Sequence, residues 1–127
     1  MSTIKTNFIY NAVYRSNYDG DTIRFDFDLG LGNWQHGQRG KGVAVRLKGV
    51  NCKEMRGGTG KSKESARKAQ EYVEDMLTRY PNVVVQTFKD TKSFDRYIAD
   101  VYITVDGVQV SLADLLVADG LAIRVDY

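Results

Sequence analysis

Three stretches of this chain hold side chains able to do chemistry together: Asp19-Gly20-Asp21-Thr22, Arg46-Leu47-Lys48-Gly49-Val50-Asn51-Cys52-Lys53-Glu54, and Phe94-Asp95-Arg96-Tyr97-Ile98-Ala99. Carboxylates bind hard cations and accept protons from water. A guanidinium presents a planar fork that holds two phosphate oxygens at once, which an ammonium does not. Carboxylates and two arginines gathered at strand ends are the parts needed to hydrolyse a phosphodiester. No one of the three stretches carries that meaning alone.

The elements that must bring them together are mostly strands. Residues 5–16 read as a first strand, with aromatic and β-branched content from Phe8 to Val13, and Asp19-Gly20 is a hairpin-type turn signal. Ile23, Phe25, Phe27 and Leu29 alternate with Thr22, Arg24, Asp26 and Asp28, which is strand period. Residues 30–42, rich in glycine and carrying Trp34 and His36, read as a flexible loop. Val43, Val45 and Leu47 alternate with Ala44, Arg46 and Lys48, so Arg46 points away from the apolar face of its strand. A helix is expected from about Ser62 to Arg79, its core stripe Ala66, Ala69, Val73, Met76, Leu77 and Tyr80. Pro81-Asn82 ends it, Val83 opens a fourth strand, and Tyr97–Val105 forms a fifth. Asp106-Gly107 repeats the turn signal. Ser111 with Asp114 caps a short helix to Ala118, and Gly120 closes it. This order fits a mainly β fold with two helices: a five-stranded Greek-key barrel of the OB type.

The composition narrows the class of protein. The chain has 127 residues, a length that suits one domain over 1–127. With Cys52 as the one cysteine, a disulfide framework is excluded. One cysteine and one histidine also argue against a zinc site and against a Cys–His nucleophile. The start lacks the apolar stretch of a signal peptide, and no run approaches a membrane span, so a cytoplasmic, membrane-free monomer is expected. The net charge of +2 hides an asymmetry: residues 46–68 carry eight Lys/Arg and two Glu, a balance of +6, against −4 for the rest. A local basic field on a mildly acidic body suits a polyanion such as nucleic acid, though a solvated helix face has the same composition.

Taken in order, Asp19–Thr22, Arg46–Glu54, Gly60 to Ala66, Phe94–Ala99 and Val110 to Ala122 resemble the motifs of the staphylococcal nuclease family. The resemblance spans about residues 8 to 125. It implies an OB barrel with helices and calcium-dependent cleavage of DNA and RNA phosphodiesters, leaving 3′-phosphates. It further implies that Asp21 ligates Ca2+, with Asn51 where the family has a second aspartate and Cys52 offering its backbone carbonyl. Glu54 matches the residue that positions or deprotonates the attacking water, and Arg46 and Arg96 match the phosphate-binding arginines. Lys53, Lys92, Phe94 and Tyr127 are the substrate-binding candidates. Phe94 stands where the family has a tyrosine.

Three residues depart from the family pattern. Asn51 replaces an anionic ligand with a neutral one, Lys53 replaces a proline and adds positive charge, and Asp95 replaces a glycine before Arg96. Each bears on cation affinity and rate more than on fold. They keep open a second reading, an OB module that binds single-stranded nucleic acid without cutting it. A third is a structural domain that kept only the barrel. Retention of Asp21, Glu54 and both arginines opposes it, since no packing need selects all four. Trp34, at a loop tip with His36, is a possible surface for stacking on a base.

Overall fold

Five strands close into a ring. The computed structural model describes residues 8–52, 60–89 and 97–125. Strand β1 (Ile9–Asn17) pairs antiparallel with β2 (Thr22–Gly30), and β2 pairs with β4 (Val43–Leu47), which follows a short β3 (Asn33–Gln35). After β5 (Val50–Cys52) and helix α1 (Gly60–Arg79), the strand β6 (Asn82–Lys89) pairs antiparallel with β7 (Tyr97–Val105). The ring is completed by β1 against β6 and by a parallel pairing of β4 with β7. That last seam is short: Val45–Leu47 against Tyr97–Ala99. Closure removes the unpaired edges that an open sheet would present.

Period-two alternation decides what fills the ring. Ile23, Phe25 and Phe27 of β2 turn inward, with Val45 and Leu47 of β4, Val83 and Val85 of β6, and Ala99, Val101 and Ile103 of β7; all are buried. Phe25 and Phe27 meet edge to face at 6.2 Å, and Tyr10 meets Phe27 likewise at 5.6 Å. Helix α1 packs Ala66, Ala69, Val73 and Leu77 onto the barrel, with Met76 and Tyr80 partly buried at the edge. The small side chain of Ala69 lets the helix come close to the β1–β2 turn.

The remaining elements are additions to this ring. Asp106 and Gly107, with φ of 52° and 80°, make the tight turn into β8 (Val108–Ser111), which pairs with β7. Ser111 caps α2 (Leu112–Ala118) by accepting the Asp114 N–H. Gly120, at φ 72°, ends that helix, its N–H bonding the Val117 carbonyl and the Leu121 N–H the Leu116 carbonyl. The last strand, β9 (Ala122–Arg124), forms a separate ribbon with β5. Among the described residues no helix is long and apolar enough to cross a membrane.

The barrel, its two helices and the turn chemistry agree with the sequence reading. The stretch 30–42 does not. Gly30, Leu31 and Gly32 all adopt positive φ and reverse the chain, so that β3 pairs back on β2, and a single 3-10 turn follows at Gln38–Gly40. A strand of three residues is too short to show a period. Among the described residues the first strand runs Ile9–Asn17 against the expected 5–16, whose residues 5–7 lie outside them, and α1 begins at Gly60 rather than Ser62.

Candidate active site

The β1–β2 connection is built from the inside. Asp19 Oδ1 accepts the backbone N–H groups of Asp21 at 3.1 Å and Thr22 at 2.8 Å, which folds the turn around its own side chain. Asn17 Nδ2 donates to the carbonyls of Asp19 and of Gln70, tying the turn to α1. Gly20 is required by space rather than by dihedral. A Cβ there would lie 2.7 Å from Cys52 Sγ and 2.9 Å from Ala69 Cβ. The turn is thus wedged between α1 and β5, and both its carboxylates are buried, Asp19 at 6% and Asp21 at 3% exposure. Asp19 is therefore more than the first residue of a hairpin.

Asp21 is the hub. Its Oδ2 accepts the Cys52 backbone N–H at 3.0 Å and pairs with Arg46 Nη1 at 3.0 Å, while its carbonyl accepts the Leu47 N–H at 2.9 Å. Arg46 Nη2 donates to Asn51 Oδ1. One guanidinium is therefore clasped by side chains from the β1–β2 turn and from β5. It points outward from β4, as the alternation requires, yet its side chain is only 18% exposed. Thr22, the register partner of Arg46, lies on one side, and Ile98 of β7 on the other.

Burial, followed by the neighbouring Asp21 carboxylate, pushes Asp19 up to about 6. Burial, then the negative charge of Asp21 and Asp19, pushes the Cys52 thiol up to about 12. Cys52 is a packed side chain there, not a nucleophile, and the site uses its backbone. The arrangement offers hard oxygen donors in excess of local positive charge, with one arginine oriented beside them.

The structure thus brings together Asp21, Asn51, Cys52 and Arg46. Lys53, Glu54, Lys92, Phe94, Arg96 and Tyr127 lie outside the described residues. Among the described residues no group of three or more His, Cys, Asp or Glu side chains could hold a metal; Asp19 and Asp21 are two, and Asn51 adds an amide oxygen. Sequence reasoning undervalued Asp19, whose burial has no local signal: it follows from the close approach of Ala69 and Cys52. Trp34 and His36 belong elsewhere. Asp26 holds Arg15 Nη1 at 2.8 Å and His36 Nδ1 at 3.0 Å, and Trp34 stacks on His36 with ring centroids 6.4 Å apart.

A five-stranded barrel with two helices, carrying an arginine and buried carboxylates at its strand ends, is an OB-type β+α domain. A family model described as staphylococcal nuclease homologue matches residues 44–127, well over half of the chain, and the chain belongs to that family. Domains of this kind act on or bind nucleic acid. No curated protein matches the chain. The match starts at Ala44, so Asp19 and Asp21 precede it, and their place in the site rests on the geometry given above.

Proposed function

We propose that the chain is a calcium-dependent nuclease that hydrolyses phosphodiester bonds of DNA or RNA and leaves 3′-phosphates. One observation carries the reading: Arg46 is held between Asp21 and Asn51, three residues from three separate segments, beside the second buried carboxylate of Asp19. The donor set fits Ca2+, which takes carboxylate, amide and carbonyl oxygens. Asp21, Asn51 and the Cys52 carbonyl would hold it. A bound cation would supply the positive charge that polarises a phosphoryl oxygen and orients a water for attack.

The chain's own residues do the remainder. Asp21 fixes Arg46 so that its guanidinium meets a phosphate already oriented, and Arg96 completes the pair that stabilises charge growing on the phosphoryl oxygens. Glu54 takes the proton of the attacking water. The roles of Glu54 and Arg96 rest on their positions in the motifs. The basic stretch 46–68 draws the polyanion toward the site.

The test is release of acid-soluble nucleotides from DNA or RNA in millimolar calcium, abolished by EDTA. Arg46→Ala should lower the rate on the order of a hundredfold. Wild-type release no greater than that of the variant would overturn the proposal. A second reading is favoured by the neutral Asn51: a module that binds single strands without cutting them. Salt-dependent binding that is indifferent to calcium and unaccompanied by cleavage would select it.

A further inference from the structure

A groove of about 1010 Å³ opens at the lower end of β4, where that strand has no β7 partner. Its walls are aromatic and apolar: Phe8, Tyr10, Leu29 and Tyr97 line it, with Gln35 of β3 and Gln38 of the 3-10 turn that follows. Phe8 is 54% exposed, Leu29 52% and Tyr97 44%, so these side chains stand open to a ligand. No aspartate or glutamate is among the described residues that line it, while Arg24 is, its guanidinium anchored on the Gly42 carbonyl.

The groove reaches the β2–β4 strand pair that carries Arg46. Thr22 lines it and is the register partner of Arg46; Arg24 and Ala44, the next pair on that face, line it too. Most of its lining precedes residue 44, outside the segment that the family model matches. It is built mainly by the β1–β2–β3 part of the fold.

We propose that this groove is a nucleobase subsite, taking an unstacked base of a single strand whose phosphate lies at Arg46. The proposal rests on the reading of Arg46 as a phosphate ligand. Every base has a π-face that stacks on aromatic side chains, whatever the sequence. Gln35 and Gln38 offer both donors and acceptors to a base edge. A lining with an arginine and without carboxylates accepts the flanking phosphates. A base paired within a duplex cannot enter, since its faces are already stacked.

The experiment is fluorescence anisotropy on the full chain in EDTA. The probes are a labelled oligothymidylate, an abasic oligonucleotide of the same length, and a duplex. Tyr97→Ala and Phe8→Ala, both at exposed positions, should each weaken oligothymidylate binding about 5-fold or more while leaving the abasic strand unchanged. Arg46→Ala should weaken both. If the two aromatic variants bind oligothymidylate as the wild type does while Arg46→Ala is impaired, the groove assignment is wrong and the phosphate reading stands. Equal affinity for duplex and single strand would also overturn the groove. No binding of any probe by the wild type would overturn both.

Discussion

Gly20→Ala tests whether the site is held by close packing. The added Cβ would sit 2.7 Å from Cys52 Sγ, 2.9 Å from Ala69 Cβ and 3.0 Å from Cys52 Cβ. None of these atoms ends a flexible side chain. To reach ordinary contact near 3.4 Å, Cys52 Sγ must retreat by about 0.7 Å, and β5 or α1 must move with it. Overpacking of this kind costs about 1–3 kcal/mol. The same shift stretches the bond from the Cys52 N–H to Asp21 Oδ2, so the hold on Asp21 should loosen as stability falls. Cys52→Ala removes the nearest obstacle but leaves the two contacts to Cβ atoms. The double variant should thus be less destabilised than the sum of the singles, by about 1 kcal/mol. Urea melts of the four proteins give the cycle. Additive costs, or a neutral Gly20→Ala, would show that the turn is not wedged as described.

Two further outcomes follow from the charges. Burial works to raise the Asp26 carboxyl, but hydrogen bonds from His36 and Arg15 and their charge outweigh it and hold its pKa below the usual carboxylate value. A depressed folded-state pKa adds stability above the unfolded carboxylate's range, and that stability is lost as pH falls through the folded value. Asp26→Asn should therefore cost about 0.5–1 kcal/mol at neutral pH, with the two stabilities converging in acid; a constant gap across the titration would contradict this. Cys52, buried and with its thiol pushed up to about 12, should resist a thiol reagent at about pH 8 in the folded protein and react at once in denaturant. Prompt labelling of the native chain would refute its burial.

The barrel was legible because its signals are local. Ile23, Phe25 and Phe27 alternate, Ala69, Val73 and Leu77 recur at helical spacing, and Asp106-Gly107 and Ser111 mark a turn and a cap. Asp21 and Arg46 were legible through motif and strand phase. What was not legible depends on distant partners. The burial of Asp19 comes from Ala69 and Cys52, which lie far along the chain. Pairing of Asn33–Gln35 on β2 depends on three successive positive-φ residues, one of them Leu31, a type with no preference for that region. That Asn51 and Asp21 share one guanidinium is a tertiary fact, invisible in either motif alone.

The ring also has a kinetic grain. Three of its seams join strands near in sequence, β1 with β2, β2 with β4, and β6 with β7. The other two, Ile9 with Gln86 and Val45 with Tyr97, join residues more than 50 positions apart. The barrel is therefore two short-range sheets, β1–β2–β4 and β6–β7, that meet along both edges, with α1 as the tether between them. Loop-closure entropy is concentrated in that meeting. Parting the two seams would leave a three-stranded sheet and a hairpin, each with its short-range pairings. Arg46 sits on the first of those sheets and Asp21 in its β1–β2 turn, so the ion pair at the heart of the site joins residues within one half.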